Sequence, residues 1–207
     1  DYHKNLKDYL NSKLYLFQNL IKKKGSIIVD SSISQFQRLR SIANKKNLKL
    51  LTVFEKKSDL ELISHEYEND KQILKIKYRS KIFEIKLNLI GKIQIKNVLM
   101  AIMAALKNGI SITEVMSKIH KLKSVEGRLE QIGNLKNGGK ILLDYAHTPD
   151  ALETVLDNVK EQFPKSKISL VFGCGGDRDQ KKRFKMGKIS SNYAHKIYLT
   201  DDNPRSE

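Results

Sequence analysis

Residues 168–207 read ISLVFGCGGDRDQKKRFKMGKISSNYAHKIYLTDDNPRSE, and their pattern of apolar runs sets the fold class. The apolar run at 168–172 is followed by a glycine-rich loop, and the apolar run at 197–199 is followed by the polar segment 201–205. A stretch with helical character, from about residue 182 to residue 194, joins the two runs. A strand, a loop, a helix and a second strand in this order form one turn of a parallel α/β sheet. The sequence therefore predicts an α/β fold.

The polar residues that follow the two predicted strands are candidates for a ligand site. Parallel sheets bind ligands beyond the carboxyl ends of their strands, so we expect Arg178 and Arg205 to converge on one small anion. A guanidinium group donates two parallel hydrogen bonds, which suits a carboxylate. The loop at 173–176 lacks the third glycine of a dinucleotide-binding fingerprint. Its glycines predict either an anion cradle at a helix start or a tight turn that needs positive φ.

The composition excludes several classes of protein. The 207 residues, of which 40% are apolar, suit one large domain or two small ones, and the single Cys174 excludes an internal disulfide and fits a reducing compartment. No apolar run approaches the roughly 18 residues of a membrane span, so we expect no membrane insertion. The 39 basic and 23 acidic residues leave a net charge of +16, but the lysines are scattered and no arginine-rich stripe is present. We therefore expect no nucleic-acid partner.

Apolar periodicity and turn residues predict the elements of the remaining chain. We expect a domain boundary at residues 125/126. The predicted elements are a helix at 5–22, a strand at 26–30, a helix capped by Ser31 or Ser32 that ends near Lys46, a strand at 48–54, a hairpin or small meander within 60–90, helices at 95–107 and 111–121, a strand pair at 129–135 and 140–144, and a helix capped by Thr148 that ends near Phe163.

When only spacing is considered, two further residues have two possible roles each and two others have one role each. Asp144 follows an apolar strand and either holds ribose hydroxyls or is an ordinary loop aspartate. His147 is either a ligand contact or a histidine at the start of a helix. Lys13 reads as a solvated residue of an amphipathic helix, and Arg128 as a linker arginine. No second histidine or cysteine stands at metal-ligand spacing, so we expect no zinc site.

Several motifs together resemble the Mur ligase family. The segments VEGRLE (125–130), DYAHTPDAL (144–152), GCGGDRD (173–179) and DDNPR (201–205) occur in the order and spacing of that family. The segments at 1–13 and 91–106 also match. The resemblance implies part of a central ATPase domain at 1–125, followed by the first half of a Rossmann-like C-terminal domain at 126–207. It further implies a piece of a longer protein, whose phosphate-binding P-loop and UDP-sugar domain precede Asp1.

The resemblance implies an enzyme, an ATP-dependent amide ligase of peptidoglycan synthesis. Such a ligase adds meso-diaminopimelate to UDP-MurNAc-L-Ala-D-Glu through an acyl phosphate, and we expect a cytoplasmic monomer. In this family the DNPR form is associated with meso-diaminopimelate, whereas lysine-adding relatives have another residue in place of the arginine. Two alternatives are a lysine-adding or folate-type ligase of the same superfamily and a non-catalytic α/β module that binds an anion.

The resemblance also assigns roles to individual residues, with ATP and Mg²⁺ as cofactors. Lys13 matches a lysine that CO₂ carbamylates, which replaces an ammonium with a carboxylate that can bind Mg²⁺. Asn97 matches an adenine contact, and Gln94 replaces another asparagine of the same motif. The remaining implied roles are contact of Arg128 with the ATP phosphates, ribose binding by Asp144, proximity of His147 to the reacting phosphate, and binding of the added amino acid by Arg178, Asp202, Asn203 and Arg205.

Overall fold

A computed structural model describes residue 3, residues 5–177 and residues 179–206. The prediction for Arg178 lies outside the described residues. The chain divides into two compact units. The first takes the described residues up to Glu66 together with Ile73–Lys86 and Ile95–His120, and the second takes Tyr67–Gln72, Leu87–Gln94 and the described residues from Lys121 onward.

The predicted α/β class is confirmed by alternating helices and strands in the first part of the chain. Strands β1 to β5 form a five-stranded sheet in chain order, and β1, β2 and β3 pair in parallel. The elements are α1 Leu6–Tyr15 with a following π-helical segment Leu16–Leu20, β1 Ser26–Asp30, α2 Phe36–Lys46, β2 Lys49–Phe54, β3 Leu60–Glu68, β4 Lys71–Tyr78, β5 Lys81–Leu87, α3 Ile93–Lys107, α4 Ile112–Lys118 and a 3₁₀ turn Ile119–Lys121.

Local sequence explains most of these boundaries. The Asn5 side chain accepts a hydrogen bond from the backbone N–H of Asp8 and caps α1. The left-handed residue Asn47, at φ 52°, ends α2. Apolar residues at helical and strand spacing then pack into one core between α1, α2 and β1, formed by Leu14, Ile27, Val29, Leu39, Ile42, Ala43 and Leu48.

The predicted cap of α2 is wrong, because α2 begins at Phe36 and not directly after Ser31 or Ser32. The Ser31 hydroxyl instead donates to the carbonyl of Val53 at 3.0 Å and lies 2.8 Å from the hydroxyl of Ser58. This serine therefore joins the ends of β1 and β2 and is not available to cap a helix.

In the second unit, β6 (Glu130–Asn134) and β7 (Lys140–Leu143) form the predicted antiparallel pair, and α5 (Pro149–Gln162) is capped by Thr148 as predicted. The strand–loop–helix–strand prediction is also confirmed, since β8 (Ser169–Phe172) and β9 (Lys196–Leu199) pair in parallel across α6 (Lys181–Tyr193). Leu152, Leu156 and Met186 are buried between α5, α6 and β8. No helix among the described residues is both long and apolar enough to cross a bilayer.

Candidate functional site

Two loops meet at the carboxyl edge of the β8–β9 pair. We call residues 173–177 the glycine loop and residues 200–206 the proline loop. The backbone N–H of Gly176 donates to the carbonyl of Asn203 at 3.0 Å. The Asp177 carboxylate accepts from the Ser206 hydroxyl at 2.6 and 2.8 Å and from the Ser206 N–H at 3.3 Å. The two loops therefore form one surface, as expected for the ends of adjacent parallel strands.

The glycines of the glycine loop are required by close backbone approach and not by positive φ. Neither Gly173 nor Gly176 has positive φ, so the predicted positive-φ turn is wrong at these positions. A Cβ on Gly173 would overlap the carbonyl of Thr200, and a Cβ on Gly176 would overlap the carbonyl of Pro204. At Gly175, by contrast, an added Cβ would lie 3.6 Å from the nearest atom, which is ordinary contact.

A cavity of about 380 Å³ opens between the two loops and the start of α6. Its walls present a cationic group, a carboxylate and backbone polar groups, a mixture that suits a small zwitterion. Arg183 is one of several basic residues at the start of α6, and nothing in the sequence pattern distinguishes it from the others. Asp202, Asn203 and Arg205 are exposed. The lining residues include Gly173, Gly176, Arg183, Thr200, Asp202 and Pro204.

Asp144 connects the end of β7 to the segment that contains Arg128. One carboxylate oxygen accepts from the N–H of Leu129 at 2.8 Å, and the other accepts from the N–H of Ala146 at 2.8 Å. The N–H of Tyr145 donates to the carbonyl of Gly127 at 2.9 Å. Because each carboxylate oxygen can accept more than one hydrogen bond, Asp144 retains capacity for a ligand hydroxyl.

The rings of Tyr145 and His147 and the guanidinium of Arg128 form a stack. The guanidinium carbon of Arg128 lies 5.3 Å from the centre of the Tyr145 ring, which contacts the His147 ring edge-on at 5.2 Å. His147 Nδ1 lies 3.1 Å from the carbonyl oxygen of Tyr145. A carbonyl only accepts, so Nδ1 is the donor in this contact, and in the neutral ring Nε2 is then the acceptor. Tyr145 was missed by sequence reasoning, although it stands between two candidates.

Lys13 and Asn97 belong to the first unit. Lys13 is exposed, and its Nζ lies 4.8 Å from the centre of the Tyr9 ring. Asn97 is an exposed residue near the start of α3. Within the described part of the chain, no group of three or more His, Cys, Asp or Glu side chains is placed to hold a metal ion. An ammonium group is not a metal ligand, so these residues do not fit a metal site while Lys13 is unmodified.

A half-buried ion pair at the start of α3 was also missed by sequence reasoning. Lys96 Nζ lies 2.6 Å from Asp30 Oδ2 and donates to the Ser32 hydroxyl at 2.9 Å. Burial alone would raise the pKa of Asp30, but hydrogen bonds from Lys96 and Ser32 outweigh burial and hold that pKa below its ordinary value of 3.8. The pair joins the carboxyl end of β1 to the residue that precedes Asn97.

The structure thus brings together Arg128, Asp144 and His147 in one cluster. Asp202, Asn203 and Arg205 form a second cluster only as near neighbours along the proline loop, and of these three Asp202 lines the cavity. Both clusters belong to the second unit. Lys182, at the start of α6, donates from Nζ to the carbonyl of His147 at 3.0 Å. The start of α6 therefore contacts the first cluster through Lys182 and lines the cavity through Arg183.

Comparisons with known proteins match both parts of the chain. Residues 1–105 match the family model described as the Mur ligase middle domain, and residues 127–207 match the model of the Mur ligase, glutamate ligase domain. A protein of Agrobacterium fabrum is 36% identical over 207 residues, and one of Chelativorans sp. is 37% identical over 207 residues. Both are named UDP-N-acetylmuramoyl-L-alanyl-D-glutamate--2,6-diaminopimelate ligase. The chain is covered completely but spans only 42% and 43% of these relatives.

Solved structures share the fold of this chain. A structure with the same ligase name has a TM-score of 0.68 at 28% identity, and the match covers 100% of this chain and 42% of the chain in that structure. MurF from Acinetobacter baumannii has a TM-score of 0.74 at 16% identity, over 96% of this chain and 43% of its own. The folylpolyglutamate synthetase of Lactobacillus casei has a TM-score of 0.72 at 14% identity, over 94% of this chain and 50% of its own. At such low identity the last two likenesses concern the fold alone.

Proposed function

Because the chain belongs to the Mur ligase family, we propose that the whole protein is an ATP-dependent ligase that adds meso-diaminopimelate to UDP-MurNAc-L-Ala-D-Glu. One observation carries the proposal: relatives with 35–37% identity over the full chain all have the name of that ligase. The geometry of the second unit agrees, since it provides a basic and aromatic cluster beside a cavity suited to a zwitterion. We place the reaction in the cytoplasm and expect a monomer.

The proposed reaction has two steps. A carboxylate oxygen of the nucleotide-linked peptide attacks the γ-phosphorus of ATP, an acyl phosphate forms, and ADP leaves. The amine of meso-diaminopimelate then attacks the acyl carbon, an amide bond forms, and phosphate leaves with loss of the amine proton. Both steps depend on alignment of the reacting groups and on stabilisation of the charge on crowded phosphates.

The first cluster suits the nucleotide. Arg128 is exposed and stacked on Tyr145, so its guanidinium is held in one direction while its N–H groups stay available to phosphate oxygens. Asp144 has lone pairs left to accept from ribose hydroxyls. His147 presents Nε2 as an acceptor near the position we propose for the reacting phosphate. Asn97, through its side-chain amide, is the proposed adenine contact.

The second cluster suits the added amino acid. Arg205 follows Pro204 in the proline loop and is the proposed partner of one carboxylate of meso-diaminopimelate. Arg178 is the proposed partner of another carboxylate. Asp202 and Asn203 have side-chain oxygens that can accept from the distal ammonium group. Lysine has that ammonium but lacks the second carboxylate, so this site favours meso-diaminopimelate over lysine.

Mg²⁺ is proposed as a cofactor that this chain can bind only when Lys13 is carbamylated. Carbamylation by CO₂ would replace the ammonium that lies over the Tyr9 ring with an oxygen donor of the type that Mg²⁺ prefers. The metal would then neutralise phosphate charge. The intact mass of the purified protein, measured with and without bicarbonate, checks this modification directly.

The test of the proposed function is an ATP-dependent ligation assay on the whole protein, with Mg²⁺ and bicarbonate present. We expect release of ADP and phosphate with UDP-MurNAc-L-Ala-D-Glu and meso-diaminopimelate, and much slower release with L-lysine. Preference for L-lysine, or for a folate substrate with glutamate, would keep the ligase chemistry and overturn the substrate assignment. Absence of ligation with every pair would leave only the binding of an anion.

Gly176→Ala is expected to damage the amino-acid site selectively. The new Cβ would overlap the Pro204 carbonyl, so the proline loop must move away from the glycine loop. A displacement of about 1 Å at a substrate-positioning group lowers kcat/KM by about tenfold to hundredfold. We expect this loss in kcat/KM for meso-diaminopimelate with little change in KM for ATP.

The matched control is Gly175→Ala, where the added Cβ has ordinary contact distances. It should leave both kinetic parameters within about twofold of the wild type, because no atom has to move. Equal losses in the two variants would contradict the close-approach explanation of Gly176.

A further inference from the structure

Two amide side chains of α5 bond the segment that precedes and begins α3. Gln162 is 5% exposed, and its Oε1 accepts from the N–H of Gly91 at 2.9 Å while its Nε2 donates to the carbonyl of Asp70 at 2.8 Å. Asn158 is 9% exposed, and its Nδ2 donates to the carbonyl of Thr154 at 2.7 Å. Both amides therefore have partners despite their burial.

Asn158 acts as a helix cap supplied by another helix. Its Oδ1 accepts from the N–H of Ile93 at 3.1 Å, and Ile93 is the first residue of α3. The first N–H groups of an α-helix have no partner within the helix, so an acceptor there holds the start of the helix in place. In α3 that acceptor belongs to a residue 65 positions further along the chain.

The segment 91–94, which the two amides hold, lies against Arg128 and Leu129. Gly91 has φ 90°, and a Cβ there would lie 2.6 Å from Cδ1 of Leu129 and 3.1 Å from Oδ1 of Asn158. Leu129 is 3% exposed and fills the space that a side chain at position 91 would need. Gln94 Nε2 donates to the Arg128 carbonyl at 3.3 Å. Arg128 is therefore held in two ways. Its carbonyl accepts a hydrogen bond from Gln94, and the next residue, Leu129, packs against Gly91.

We infer that Asn158 and Gln162 are positioning residues for Arg128. They fix residues 91–94, so that Gly91 accommodates Leu129 and Gln94 holds the Arg128 carbonyl, and this sets the direction of the guanidinium that stacks on Tyr145. The inference rests on the proposed function, in which Arg128 contacts the ATP phosphates. An apolar residue of similar volume would fill the same space but would leave the N–H groups of Gly91 and Ile93 without acceptors.

The test uses Asn158→Leu and Gln162→Met in the whole protein, with kinetics measured separately for each substrate. We expect kcat/KM for ATP to fall by about tenfold to hundredfold in each variant, while KM for meso-diaminopimelate stays within about twofold. Asn158→Asp keeps an acceptor for the N–H of Ile93 and should recover most of the loss. Tyr193→Phe is the control, because it removes the hydrogen bond that the Tyr193 hydroxyl of α6 donates to Asp157 of α5, away from residues 91–94.

The outcomes separate this inference from the proposed function. Unchanged kcat/KM for ATP in both variants, or an equal rise of KM for both substrates, would overturn the positioning role while wild-type ligation upholds the function. Absence of wild-type ligation would overturn the function and the inference together. Amide hydrogen exchange of the wild type gives a check that needs no variant: rapid exchange at Gly91 and Ile93 would also overturn the inference.

Discussion

Replacing Lys96 by methionine is expected to lower the free energy of unfolding by about 2–3 kcal/mol at neutral pH. The variant leaves the Asp30 carboxylate, whose side chain is only 7% exposed, without its cationic partner. Removal of one partner of a fully buried pair costs about 3–5 kcal/mol. The Lys96 side chain is 37% exposed, so water already weakens this pair and the expected loss is smaller. Urea unfolding of the purified protein measures the change.

The pH dependence of the loss identifies its cause. In the wild type the folded-state pKa of Asp30 is lowered, so the stabilisation is present above the ordinary value of 3.8 and is lost as pH falls through the lower, folded-state pKa. In Lys96→Met the ammonium no longer lowers the pKa of Asp30, so we expect that pKa to be higher than in the wild type. The difference between variant and wild type should therefore be largest at neutral pH and shrink in acid.

Two controls accompany this prediction. Lys92→Met breaks a pair with Glu161 in which both side chains are about half exposed, at 49% and 47%, and should cost no more than about 0.5 kcal/mol. The double variant Asp30→Asn with Lys96→Met removes the uncompensated charge and should regain part of the loss. A Lys96→Met loss that does not change between pH 7 and a pH below 3.8 would show that lost packing, and not the ion pair, is responsible.

In the proposed ligase, replacing Arg205 by alanine is expected to reduce the preference for meso-diaminopimelate over L-lysine by about tenfold to 100-fold, since a charged hydrogen bond contributes about 1.5–3 kcal/mol. Rejection of a ligand that lacks a required polar group can reach on the order of 10⁴ when the site is buried. Arg205 is exposed in the structure, so its site is not of that buried kind. Water can hydrate its guanidinium when lysine binds, so the discrimination is smaller.

The measurement is the ratio of kcat/KM for the two amino acids. Arg205→Lys keeps the charge but not the two-pronged donor, so its preference should lie between those of the wild type and Arg205→Ala. Lys188→Ala removes a positive charge from an exposed position of α6 and serves as the control for charge alone. The assignment of Arg205 is wrong if the alanine variant prefers meso-diaminopimelate as strongly as the wild type.

The elements of the fold follow largely from local patterns in the chain. Thr148 and Pro149 mark the start of α5, residues 136–139 mark the turn between β6 and β7, and the apolar runs mark the parallel strands β8 and β9. These patterns succeed because caps, turns and periodic faces involve residues only a few positions apart. The cap of α2 was wrong because Ser31 bonds Val53 and Ser58, which no local pattern reveals.

The candidate residues were also visible in the sequence, but largely through the family motifs that contain them. Arg128, Asp144, His147 and Arg205 are ordinary residues by spacing alone. Tyr145 and Lys96 lie within matched segments that assign them no role, whereas Arg183 and Asp30 lie outside those segments, and each is one residue among many of its type. Their positions became apparent only from the side-chain stack, the cavity and the short Nζ to Oδ2 distance.

The sequence by itself determined the α/β class, the order of helices and strands, and the membership in a ligase family. The tertiary structure alone decided why Gly173 and Gly176 must lack side chains, and which acceptors hold the N–H groups of Gly91 and Ile93. Gln162 lies 71 positions from Gly91, and Asn158 lies 65 positions from Ile93. Periodicity reports only neighbours within a turn or a strand, whereas contact between distant segments depends on how the whole chain packs.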